Sequence, residues 1–529
     1  MKTIYYNGQI YTGEDFKEAF IVENNKFTYV GNNQEALSYA NENDLLIDLE
    51  NKFVCSGFND SHMHLLSYGK ALRSAKLYEH TTSIQDVIDC MKEFILKNDF
   101  KENDWVLGRG FNHDYFIESR MPTRHDLDII STTNPIVITR ACGHSLVTNT
   151  KVLELLHIDP NTCDNLDIAL GIFYDDTMDM VTHAIPKPSK EEIKKMLVQA
   201  MSMLNQYGVT SCHSDDYSAY KNVIWEEVNE AYQELIQENK NTVRIYEQSN
   251  FPDIETLKDF ISKGNKTNNG NEYFKIGPIK IVADGSLGTR TAYMSQPYHD
   301  DPNTQGLLCY DEKTIREIIS YSHDNGMQVA CHAIGDGCVD ILLDEYEKAL
   351  KNASNENHRH GIVHCQITRY DQLEKMKDLH LHIYAQSIFL DYDINIVHER
   401  VGKLADSSYS WKTLLDGGCS VSNGTDCPVE LPIALRGIQC AITRQNLKET
   451  KQPYLPHEAF SVKEAINSYT IGSAYASFEE KIKGLIKENY LADFVILDKN
   501  PFIVKSNEIK DIQVLETRMD GKCVFKKTL

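Results

Sequence analysis

Two histidines separated by one residue, His62 and His64, stand in the run Asp60-Ser61-His62-Met63-His64, just after the apolar entry Phe53-Val54-Cys55-Ser56-Gly57-Phe58. Residues i and i+2 of a strand share a face, so the two imidazoles can close on one metal ion. An H-x-H triplet alone is most often structural. Its weight here comes from residues later in the chain: Lys280, His332, His364 and Asp426 each lie at the end of a short apolar run. A barrel strand would deliver each of them to the same mouth. A hydrolytic metal site needs ligands that leave a position open, a base, and donors for the developing oxyanion. Imidazoles suit zinc. Asp426, in Gly424-Thr425-Asp426-Cys427-Pro428, could both touch metal and accept a proton from the water that the metal activates. Lys280 sits in Ile279-Lys280-Ile281-Val282, a poor place for a free ammonium. An inward lysine on a buried strand must lose its charge, pair, or be modified. Carbamylated, it would become an anionic ligand bridging two ions.

These residues need elements to hold them. The middle of the chain alternates strands and helices, the signature of βα units. Strands are predicted at Val209–His213, Val243–Gln248, Ile279–Val282, Gln328–His332, Gly361–His364, Ile383–Gln386 and Ser420–Asn423. With the strand before His62 they make eight. Helices are predicted over Asn222–Asn239 and Ile254–Ser262. The gap between the first and second strands is too long for one helix. Residues 75–185 therefore read as an α/β insertion within a barrel spanning 57–479, with strands at Trp105–Gly108 and Ile136–Thr139. The two ends, 1–56 and 480–529, read as short strands and turns. Neither has enough strands for a core of its own, so one composite β-sandwich is expected from both.

The bulk numbers narrow the partners. At 529 residues, two or three domains are expected. A formal charge of −23 argues against nucleic acid or an anionic membrane surface as partner. No stretch approaches the run of roughly 18 apolar residues that a membrane helix requires, and the N-terminus alternates like a strand rather than a signal peptide. The 13 cysteines are scattered without a C-x-x-C pair, which suits reduced thiols in a cytoplasm. A small-molecule substrate and a homodimer are the expected partners.

The order H-x-H, Lys, His, His, Asp on a βα barrel resembles the amidohydrolase superfamily. The phrases Ser56–His64, Ala283–Ala292, His332–Asp336, Gly424–Val429, Gly108–Asn112, Pro122–Asp128 and Gly484–Phe494 resemble amidohydrolase family 3, its YtcJ-like branch. Asn59, Cys365 and Cys427 depart from the usual phrasing, and none removes a ligand. The resemblance implies a (β/α)8 TIM barrel with a composite β-sandwich. It implies a metal-dependent hydrolase of amide-like, non-peptide carbon–nitrogen bonds, with one or two divalent ions, zinc foremost. Metal-activated water would attack, and Asp426 would shuttle the proton to the leaving nitrogen. Deamination or cyclic-amide opening on the same scaffold is the alternative, and a sensor that has lost turnover is a third reading. Asp284 and Arg290 share one loop and are read either as an ion pair shaping the site or as substrate contacts. His144, in the insertion, is read as a substrate-side residue. His382, opening a strand, lies at the wrong end for chemistry and is read as structural.

Overall fold

The computed structural model describes residues 2–80, 82–98, 100–141, 145–220, 222–351 and 357–528. They form two compact units, Met1–Tyr68 with Leu197–Leu529, and Gly69–Met196. The first unit is built on a (β/α)8 barrel. Its strands are β1 (Phe58–Met63), β2 (Val209–Ser214), β3 (Arg244–Asn250), β4 (Phe274–Val282), β5 (Val329–Ala333), β6 (Gly361–His364), β7 (His382–Ala385) and β8 (Ser420–Asn423). All seven ladders between successive strands are parallel. Every one of these short segments carries Val, Ile or an aromatic residue, and the strands are buried almost throughout. That is how parallel strands covered on both faces read.

β1 and β8 stand at the two ends of the strand order. The seam between them is crossed by single bonds: the Asp426 N–H donates to the His62 carbonyl (2.8 Å) and the His64 N–H to the Cys427 carbonyl (2.7 Å). Helices after the strands carry their own start signals. Asp253 and Asp311 cap the helices Ile254–Ser262 and Glu312–Asp324 by accepting from Thr256 N and Thr314 N.

Both chain ends contribute to one six-stranded sheet. Phe53–Ser56 pairs with Gln9–Tyr11 on one side and with Phe494–Leu497 on the other. Val514–Met519 and Lys522–Lys526 extend it. A four-stranded sheet of Lys26–Gly31, Ala19–Glu23, Thr3–Tyr6 and Leu45–Asp48 accompanies it. Tyr5, Phe20, Phe27, Val54, Phe494 and Ile496 share one core between the two sheets. Arg244, 2% exposed at the start of β3, donates from Nε to Asp493 (2.6 Å) and from Nη2 to Asp520 (2.5 Å). It thereby ties the barrel floor to these strands.

The second unit holds a five-stranded sheet in the order Ile172–Tyr174, Ser145–Thr148, Ile136–Arg140, Val106–Phe111, Ser74–Lys76. Its bounds are wider than the 75–185 read from the sequence, because Leu65–Leu72 and Lys190–Gln206 are helices that straddle the junctions. Val87, Met91, Val106, Ile136 and Ile138 lie in its core.

Candidate metal centre

The barrel strands bring the candidate ligands to one end. His62 and His64 come from the end of β1, Lys280 from β4, His332 from β5, His364 from the last position of β6, and Asp426 from the turn after β8. The His62 and His64 rings are 5.3 Å apart, His62 and His364 5.5 Å, and His332 and His364 4.4 Å. Asp426 Oδ1 lies 3.2 Å from His64 Nε2 and 3.4 Å from His62 Nε2. Donor atoms of His62, His364 and Asp426 all fall within 4.8 Å of one another.

The tautomers are set from behind. His62 Nδ1 meets the Gln248 side-chain oxygen at 2.6 Å, and His364 Nδ1 meets that of Gln386 at 2.8 Å. His332 Nδ1 meets Asp284 Oδ1 at 2.9 Å, and His64 Nδ1 meets the Asp215 carbonyl at 3.2 Å. Every one of these partners is an oxygen acceptor, so each Nδ1 carries a proton; His62, His332 and His364 keep Nε2 for the centre, while His64 Nε2 faces Asp426 Oδ1. Buried metal-binding histidines are oriented in this way. The donor set, imidazole with carboxylate, fits a divalent ion such as zinc.

The electrostatics agree with a site built for cations. Burial, with Lys280 and the neighbouring histidines, pushes His62 well below the ordinary histidine range. Burial, then His332 and Lys280, does the same to His364. Both imidazoles are held neutral, the form in which histidine can bind a metal ion. Burial alone would lower His64 as well, but the bond to Asp426 and the charges of Asp215 and Asp426 outweigh it and raise it to about 9. Burial lowers Lys280, which is 3% exposed, and Asp215 and Asp426 only partly offset that. A downward shift favours the free amine, the form that carbamylation needs.

Two candidate ligands sit in left-handed backbone, Asp426 at φ 56° and His364 at φ 75°. Non-glycine residues keep such conformations where their surroundings impose them. At His364 the clamp is the Trp411 indole N–H, shared between the His364 carbonyl (3.0 Å) and the Cys365 carbonyl (3.1 Å).

The remaining site candidates stand differently. The Asp284 side chain is fully buried. Its Oδ1 accepts from His332 and from Ile334 N, and its Oδ2 from Tyr293 N and Gly335 N. It therefore orients His332, and all of its contacts are with the chain itself. The ion pair with Arg290, one of the two readings of the sequence, does not form: Arg290 binds Asp300, which also takes Arg400. Those three side chains join the loop after β4 to the loop after β7. His144 lies outside the described residues. His382 is fully buried between the Ser420 and Ser422 hydroxyls, at the opposite end of the barrel from the ligands. Sequence reasoning missed Gln248, Gln386 and Asp215.

The sequence pattern of the Amidohydrolase family matches residues 45–525. The chain belongs to this family. It is 30% identical over 544 residues to the putative amidohydrolase YtcJ of Bacillus subtilis (strain 168), covering all of both chains. It is 23% identical to the N-substituted formamide deformylase of Arthrobacter pascens, over 97% of this chain and 95% of that one. Among solved structures it is similar to an uncharacterized metal-dependent hydrolase from Pyrococcus horikoshii OT3, with a TM-score of 0.79 and 28% identity over 96% of this chain and 99% of the other. The expected barrel and family are both borne out.

Proposed function

We propose that the protein is a metal-dependent hydrolase that cleaves an amide-like, non-peptide carbon–nitrogen bond of a small molecule. The observation that carries this is the set of four histidines whose Nδ1 atoms are all held by oxygen acceptors, with Asp426 against two of their Nε2 atoms. His62, His64, His332, His364 and Asp426 would hold one or two divalent ions, zinc foremost, and a carbamylated Lys280 would bridge a pair. Such an ion supplies Lewis acidity and brings the pKa of a water to roughly 7.

The chain's own groups do the rest. The Asp426 side chain is 12% exposed, so one end of it reaches the mouth while the other faces the histidines. A carboxylate there can take a proton from the attacking water and return it to the departing nitrogen. Gln248, Gln386 and Asp284 keep the imidazoles aimed, which spares reorganisation during the reaction. The similarity to a formamide deformylase supports the choice of bond. Deamination or cyclic-amide opening would use the same residues with a different leaving group. A sensor without turnover would have no need of Asp426. The twelve described cysteines are free thiols, and no described helix is long and apolar enough to cross a membrane. Both suit a cytoplasmic enzyme.

The test is hydrolysis of a panel of N-substituted formamides, acetamides and cyclic amides by zinc- or manganese-loaded protein. Asp426→Asn should lower the rate on an accepted substrate by about 10²–10⁴-fold. Stoichiometric metal without turnover of any amide on the panel would refute the hydrolase and revive the sensor.

A further inference from the structure

Among the described residues no ladder joins β1 to β8; beside the two backbone bonds, one carboxylate bridges the seam, and that carboxylate is Asp60. It is 2% exposed and points into the seam. Its Oδ1 accepts from His62 N (3.2 Å) and from Thr425 N (3.0 Å). Its Oδ2 accepts from the Thr425 hydroxyl at 2.5 Å. One side chain thus grips the backbone of a candidate ligand on one strand and the residue preceding another ligand on the far side of the seam. The approach is too close for any side chain at Gly424. A Cβ there would stand 2.5 Å from His62 N and 2.8 Å from Asp60 Oδ1.

The next residue, Asp426, is held in left-handed backbone. Its N–H donates to the His62 carbonyl, and the His64 N–H returns a bond to the Cys427 carbonyl. Without Asp60, the turn Gly424–Cys427 would keep only those two backbone bonds to β1. A left-handed aspartate persists only where its surroundings impose that backbone, and without them it would relax. Relaxation would move its carboxylate away from His62 and His64.

The geometry points to Asp60 and Thr425 as a positioning pair that fixes the distance between the H-x-H histidines and Asp426, and through it the affinity of the centre for its metal. The inference rests on the reading of Asp426 as a ligand. Asp60 touches no reacting atom. It acts through Thr425, and the hydroxyl of Thr425 can be removed with almost no change of shape.

The experiment uses full-length protein and Zn²⁺ or Co²⁺ as the probe. Affinity is read by competition with a chromophoric chelator, coordination by the visible spectrum of the cobalt form, and fold by urea unfolding of the metal-free protein. Thr425→Val should weaken metal binding about tenfold, within the range found for outer-shell partners of metal ligands. It should also alter the cobalt spectrum. Thr425→Ser should restore both. Asp60→Asn should weaken binding at least as much as Thr425→Val. A purely structural role predicts the opposite pattern: the urea midpoint falls for Thr425→Val while affinity and spectrum match the parent, and that result overturns the proposal. Asp426→Asn separates the two readings. If it binds metal like the parent, Asp426 is not a ligand and the underlying reading fails. If it binds weakly while Thr425→Val and Asp60→Asn bind normally, only the positioning pair fails.

Discussion

Replacing Asp284 with asparagine should damage the centre through His332 without touching a ligand. The carboxylate accepts four bonds, two on each oxygen: His332 Nδ1 (2.9 Å) and Ile334 N (3.1 Å) on Oδ1, Tyr293 N (3.0 Å) and Gly335 N (2.8 Å) on Oδ2. All four partners are donors, and an asparagine has one oxygen. Whichever way the amide turns, its NH2 group faces two N–H donors in a fully buried place. Each buried donor left without an acceptor costs about 1–3 kcal/mol, so the substitution should cost about 2–6 kcal/mol, less whatever the loop recovers by shifting. One escape is open. If the NH2 faces His332, the imidazole can move its proton to Nε2 and accept through Nδ1. That relieves one clash and blocks the nitrogen aimed at the centre. Stability and metal affinity should therefore fall together, the latter by about 10–100-fold. Chelator competition measures the affinity, and urea unfolding of the metal-free protein measures the stability. A variant with parental affinity and parental urea midpoint would refute the orienting role of Asp284 and reopen it as a substrate contact.

Two further outcomes are expected. Burial, then Arg359, lowers His382 to about 3 from an ordinary value of 6.5. Its folded pKa lies below its unfolded one, so the stability it contributes is present above pH 6.5 and is lost as pH falls towards 3. Between pH 7 and pH 5 that loss is about 2 kcal/mol. Urea unfolding of His382→Gln should show a pH 7-to-5 difference smaller by that amount, and an unchanged difference would sink the assignment. The homodimer is proposed because two-fold dimers are the commonest closed assembly. Light scattering should give twice the 60.4 kDa chain mass, and the mass of a single chain would overturn it.

The sequence was informative where chemistry and period coincide. His62, His64, His332, His364, Lys280 and Asp426 stood out as candidates because they follow one another in order at or near the ends of barrel strands; a strand imidazole alone is not diagnostic, as the structural His382 shows. Strand limits were less legible. β4 runs over nine residues from Phe274, not four from Ile279, because Gly277 and Pro278 look like a break in one dimension while the flanking strands carry the segment through. The pairing of Asp284 could not be read at all. Arg290 is six residues away and of opposite charge, so local spacing favours that pair. Three of the four partners Asp284 takes come from β5 and the turn after it, 48–51 residues on, and the fourth, Tyr293 N, is a backbone group nine residues away.

The same limit explains why the layer behind the ligands escaped notice. Gln248 and Gln386 are neutral amides, and nothing about a strand-terminal glutamine in sequence separates a tautomer lock from a surface residue. Their role exists only once the barrel brings Gln248 of β3 to His62 of β1, two strands away, and Gln386, just after β7, to His364 at the end of β6. Ligands announce themselves by type; the groups that aim them are defined by place. Asp60 shows both halves of this. It sits inside the motif that gave the metal site away, two residues before His62, and reads there as one more polar residue. Folding sets it against Thr425, 365 residues distant, at 2.5 Å. The chain's first and last barrel strands meet at that contact, and the candidate base stands one residue beyond it. Closing the barrel and placing the base are then one event, and a chain that folds with its seam open would carry every ligand and still lack the site.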